Sequence, residues 1–234
     1  MLVWNCKRWA LPAAFLALSI VIGLKAATGK TEKTGAVERR APVGAAAGAT
    51  APNTVTYKID AGKNRFTVRA FVGGLFSAFG HDHTIAVREF SGEARFTPGS
   101  LDASSLHITV KADSLSVIDK VSESDRQEIE GKMRREVLET GKYPEIVFDS
   151  TNISAEKIAD GKYRVKIEGD LKLHGVTRRA VINAQVTEEG DALRARGEFP
   201  LRQTEYHISP PSVAGGTIKV KDELKLSFDI IAHS

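Results

Sequence analysis

From Tyr57 onward apolar and polar residues alternate with a period of two, and this leaves few folds open. Residues in such a run project to opposite sides of a β-strand, giving one dry face and one wet face. The stretch 163–174 is the clearest: Tyr163, Val165, Ile167, Gly169, Leu171 and Leu173 share one face, while Arg164, Lys166, Glu168, Asp170, Lys172 and His174 share the other. The split recurs through Phe66, Val68, Ala70 and Val72, and through Leu106, Ile108, Val110 and Ala112. It returns in Val176, Ala180, Ile182, Ala184 and Val186, in Leu193, Ala195, Gly197 and Phe199, and in Leu224, Leu226, Phe228, Ile230 and Ala232. Turn clusters such as ADGK and EEGD separate the runs, so neighbouring strands connect as hairpins. The predicted fold is mainly all-β, an antiparallel barrel of about eight strands.

One helix is expected among them, at about 124–140, with Ser124 as its N-cap and Gln127 three residues on, ending before Gly141 and Pro144. Its apolar stripe is thin. Ile129, Met133, Val137 and Leu138 can seal against one surface, while Glu128 with Lys132 and Glu130 with Arg134 make exposed i, i+4 pairs.

A barrel of this size is either filled by its side chains or roomy enough for one ligand. The inward positions include Ala70, Ala94, Ala112, Gly169, Ala180, Ala184, Ala195 and Gly197, and none is charged. Two readings follow. The small residues either enclose an apolar cavity suited to a lipid, or interdigitate with Phe66, Phe96, Phe199 and Phe228 in a filled core.

The N-terminal region reads differently. Lys7 and Arg8 precede the uncharged run WALPAAFLALSIVIGL at 9–24, the order of an export signal. A helix of that length spans roughly 24 Å against the ~30 Å hydrocarbon core, so residues 1–27 serve either as a cleaved signal peptide or as an uncleaved inner-membrane anchor. Both predict a periplasmic or secreted protein. Residues 28–53 are rich in Ala, Gly, Thr and Pro without apolar periodicity, which predicts a disordered linker before a single domain at 54–234.

Charge and cysteine content remove several functions. Residues 1–52 carry a formal +5 while the whole chain carries +4, so the remainder is at −1 and has no excess with which to bind nucleic acid. The single cysteine, Cys6, rules out an intramolecular disulfide framework. The sequence contains no G-x-S-x-G, no phosphate-binding G-x-x-x-x-G-K-[ST] and no H-E-x-x-H, so binding is expected rather than catalysis, with no required cofactor. A metal remains an alternative. His81 and His83 flank Asp82, and on a strand both imidazoles would face the same side, with His207 as a third ligand. That pattern would suit a periplasmic metal- or haem-binding barrel; the plainer reading is a loop made flexible by Gly73, Gly74 and Gly80. His107, His174 and His233 fall on the polar register and read as surface or turn residues.

Several segments in order resemble the YceI-like family, bacterial exported proteins with a lipocalin-like barrel. TYKID opens the match, followed by EFSGEARFTPGSLDASSLHITVKADSL and LETGKYPEIVFDSTNI. The strongest part is GKYRVKIEGDLKLHGVTRRAVINAQV, which contains Leu171, Leu173, His174, Gly175, Val176 and Thr177. Two segments depart from the usual pattern, GGLFSAFGHDHTI and RQTEYHI, where His207 stands at a position more usually glycine. The resemblance implies a polyisoprenoid or other long apolar ligand inside the barrel and no chemistry of its own. With the inward register it points to Val68, Val110, Val165, Ile167, Leu171, Ile182, Phe199 and Phe228 as the lining. The implied partners are the lipid itself, the inner membrane when the N-terminus is uncleaved, and a second copy in a homodimer.

Overall fold

The computed structural model describes residues 54–62, 64–74, 81–97 and 100–234. The signal or anchor segment, the linker, Cys6 and Gly80 lie outside the described residues. In chain order the strands are β1 (Val55–Asp60), β2 (Arg65–Gly73), β3 (His83–Val87), β4 (Phe90–Thr97), β5 (Ser100–Lys111) and β6 (Leu115–Val117). Helix α1 (Glu123–Lys132) comes next, then β7 (Glu145–Ala159), β8 (Lys162–Leu173), β9 (Val176–Glu189), β10 (Ala192–Arg202), the short β11 (Ser212–Val213) and β12 (Ile218–His233).

The twelve segments make an eight-stranded barrel because three of its strands are broken in the middle. β1 and β2 are two halves of one long strand, as are β3 and β4, and β5 and β6; each half pairs with the corresponding half of its neighbour. The meander then runs antiparallel through β7, β8, β9, β10 and β12, and β12 closes the ring against β2 and β1. Two of the breaks have a polar repair. Between β1 and β2, Asn64 takes the place of a ladder pair: its Oδ1 accepts the Ile231 N–H at 2.7 Å, and its Nδ2 donates to the Ile231 carbonyl at 3.0 Å. Between β3 and β4, Ser114 Oγ accepts the Glu89 N–H at 3.0 Å. Backbone groups that would otherwise be orphaned are thereby paired.

The predicted inward register holds along β8, where Val165, Ile167, Gly169, Leu171 and Leu173 are all buried and their even-numbered neighbours are more exposed. The helix differs from expectation. Its N-cap is Ser122, whose Oγ accepts the Asp125 N–H at 3.1 Å, and not Ser124; Gln127 instead donates to Glu123 at 3.1 Å. The apolar pattern cannot separate two serines two residues apart, whereas the extended backbone of Ser122 can. After Lys132 the chain continues through a wider turn at Met133–Val137 and stops at Glu139, which takes a left-handed φ of 45° before Gly141 is reached. Glu128 and Lys132 do pair, at 3.0 Å. Glu130, however, is largely buried and accepts both Arg134 and the Val117 N–H at 2.9 Å, so this pair ties the helix to β6 rather than decorating a wet face.

His207 sits just after β10 in an exposed turn with φ of 57°. A left-handed backbone costs a non-glycine residue about 1–2 kcal/mol. His207→Gly is expected to stabilise the domain by about 0.5 kcal/mol, the relief being partly offset by the greater chain freedom of glycine when unfolded. A midpoint in chemical denaturation that rises without a change of slope would confirm this, and a lower midpoint would refute it.

Candidate functional site

The barrel is filled at one end and hollow at the other. At the filled end Tyr57, Leu193 and Ala232 are buried, and Phe96 meets Tyr163 edge-on with ring centroids 5.9 Å apart. At the other end lies a cavity of about 650 Å³. That volume falls within the ~300–1,000 Å³ of small-molecule sites, and apolar side chains dominate the walls. Both readings of the small inward residues are therefore realised, some of them opening the cavity and others seating the rings that border it. Ala70, Ala184 and Ala195 line the cavity. Gly169 and Gly197 instead make room for aromatic rings: a Cβ on either would lie 2.5 Å from Cζ of Phe148 or Phe228 respectively.

Seven of the expected lining residues border the cavity: Val68, Val110, Ile167, Leu171, Ile182, Phe199 and Phe228. Val165 does not. It is buried two positions from Tyr163 and opposite Ala155, within the packed end. The helix supplies a cover that the sequence only hinted at, since Ile129 from α1, and Met133, Val137 and Leu138 from the turn that follows, all face the cavity. A thin apolar stripe suffices there because those residues close the end of a barrel and do not pack against a whole sheet.

Polar lining residues gather at the helix end. They include Asp125, Glu128 and Lys132 of α1, His81 just before β3, His83 at its start, Gln203 after β10, and Ser212 and Lys219. His81 is exposed, His207 stands outside the lining, and Asp82 is engaged elsewhere. The N–H of Val72 at 3.0 Å, followed by the guanidinium of Arg69 at 3.1 Å, holds the Asp82 carboxyl below the usual range. His83 Nδ1 lies 3.1 Å from Asp119 Oδ2. The three histidines do not assemble, and no group of three or more His, Cys, Asp or Glu side chains converges to hold a metal among the described residues.

Two polar residues were misplaced or missed by the pattern. Gln203, 4% exposed, follows Phe199 and Leu201 at the next inward position of the β10 register, so a polar residue in an apolar series was the available signal. His174 is a turn residue as expected, but not a surface one, its side chain being 10% exposed. With Gly175 it forms the two-residue β8–β9 hairpin turn, both with positive φ, 51° and 77°. Its Nε2 meets Glu139 Oε2 at 2.7 Å, its Nδ1 the Tyr206 carbonyl at 3.3 Å, and its ring lies 4.5 Å from that of Tyr143. This contact set binds three loops around the cavity end, and burial pushes the Tyr206 phenol up.

Comparison with known proteins agrees with this architecture. The model of the YceI-like domain matches residues 57–232. A UPF0312 protein of Pseudomonas syringae pv. tomato is 33% identical over 169 residues, covering 68% of this chain and 80% of the relative. Another, from Pseudomonas fluorescens, is 29% identical, and the aligned region spans 59% of its length. Among solved structures, Burkholderia cenocepacia BcnA superposes with a TM-score of 0.55 at 17% identity, over 74% of this chain and 99% of that one. A polyisoprenoid binding domain from Saccharophagus degradans, implicated in plant cell wall breakdown, gives 0.55 at 14% identity over 76% and 98%. At such identities the two structures share the fold with this chain.

Proposed function

The chain belongs to the YceI-like family, and from that membership we propose that it is an exported lipid-binding protein that holds an isoprenoid-type or other long apolar chain inside its barrel. The observation that carries this reading is the cavity of about 650 Å³ with its predominantly apolar wall. Each methylene taken from water into such a wall gains about 0.8 kcal/mol, so a chain of a few isoprene units repays the cost of ordering it. Binding rather than catalysis fits a cavity whose polar side chains gather at one end. Export rests on Lys7 and Arg8 ahead of the apolar run at 9–24, which directs the domain to the periplasm, either free or tethered to the inner membrane.

The deciding experiment is mass spectrometry of organic extracts from the protein purified from its own host. The expected result is a lipid with a long apolar chain at a ratio near one per barrel. An extract free of such lipid, from protein that also fails to take up added prenyl lipid, would overturn the reading.

A further inference from the structure

Two polar side chains in the cavity wall are each fixed so that one acceptor atom remains unused by the described residues. The first is His83. Both carboxylate oxygens of Asp119, which meets His83 Nδ1 at 3.1 Å, also accept the Thr84 N–H, at 2.9 and 3.1 Å. An ionised carboxylate only accepts, so Asp119 holds a ring proton on Nδ1 and selects the tautomer whose acceptor is Nε2. The second is Gln203. Its Nε2 donates to the carbonyls of Lys221 at 3.0 Å and Asp222 at 3.4 Å. Carbonyls only accept, which determines the orientation of the amide, and Oε1 has no donor among the described residues.

Those carbonyls are available because β12 bulges there. Val220 pairs with Val72 and Leu224 with Ala70, so β12 has three residues where β2 has one. The same Ala70 pairs on its other side with His83, so His83 and the bulge of β12 flank β2 on its two sides. The charges around them balance: Lys132 and Lys219 face the cavity together with Asp125 and Glu128, and Lys132 is already paired with Glu128. The described lining residues thus carry no net positive charge to favour a phosphate.

We infer that the polar end of the bound lipid is an uncharged hydrogen-bond donor, a hydroxyl by chemical class, whose single proton goes to either His83 Nε2 or Gln203 Oε1. This rests on the lipid-binding reading and adds to it the identity of the head. An acceptor that the ligand covers and leaves unpaired is costly, so a donor head gains at this site what an ether of the same length and greasiness does not.

The test measures binding of geranylgeraniol, its methyl ether and geranylgeranyl phosphate to the delipidated full-length protein. The alcohol is expected to bind at least about tenfold more tightly than the ether, and more tightly than the phosphate. In His83→Phe and in Gln203→Met the alcohol should lose affinity while the ether keeps its own, so that the preference narrows in each variant and disappears when the two are combined. Equal binding of alcohol and ether to the wild type, or tighter binding of the phosphate, would overturn the head-group inference and leave the lipid reading standing. Failure of all three probes to bind would overturn both. The wild-type comparison decides the question even if a variant fails to fold.

Discussion

Ala184→Trp is expected to empty the barrel of lipid while leaving it folded. Ala184 is buried on β9 between Val165 of β8 and Gly197 of β10, and it borders the cavity. An indole built from that position enters the volume the ligand needs. Forcing a large side chain into a packed core usually costs about 1–3 kcal/mol, and here the empty space beside the residue reduces that cost. Excluding ten carbons of a prenyl chain, by contrast, removes on the order of 8 kcal/mol of gross burial at about 0.8 kcal/mol per methylene. Ligand loss should therefore dominate fold loss. Wild type and variant prepared alike should differ in extractable lipid by at least about tenfold, with the same far-UV spectrum. Unchanged lipid content in a folded variant would mean that the lipid sits elsewhere.

Much of this site was legible because period two sorts residues by face. His83, Ile85 and Val87 share the inward face of β3, and Gln203 continues the inward face of β10 past Leu201. A polar residue in such a series marks a place where the wall needs a hydrogen bond, although the series alone says nothing about which atom is left free. That depended on a β12 bulge and on Asp119, which is 36 residues from His83 in sequence. The misassignment of Val165 has a different origin. Its face was right, but alternation carries no information about height, and only the packing of Tyr163 and Phe96 shows which end of the barrel is filled. The helix cap was missed for a local reason, since Ser122 and Ser124 offer the same hydroxyl and only the backbone entering the helix distinguishes them. The histidine pair was the alternative reading. Spacing put His81 and His83 on one side, but no third His, Cys, Asp or Glu side chain converges with them among the described residues.

The inward glycines were ambiguous because their meaning lies on the neighbouring strand. Gly197 is the register partner of Phe228, so the ring of Phe228 can lie across the strand where a side chain would otherwise stand. Whether a small residue opens a cavity or seats a ring is thus decided by register, which period two leaves free by any even number of residues. This gives the second large effect. Gly197→Ala places a methyl group 2.5 Å from Phe228 Cζ and against the Asn183 carbonyl. The ring must turn toward the cavity, and the expected loss of stability is about 2 kcal/mol, in the range for overpacked cores. Phe228→Leu alone should cost about 1 kcal/mol by removing buried ring area. In the double variant the shorter side chain no longer opposes the new methyl, while the Asn183 carbonyl still does, so the combined loss should fall short of the sum by about 1 kcal/mol. Urea denaturation of the four proteins, with denaturation slopes held equal, measures that coupling. Additive losses would show that the ring does not depend on the glycine, and a cavity wall shaped by the Gly197 and Phe228 pair would have to be abandoned.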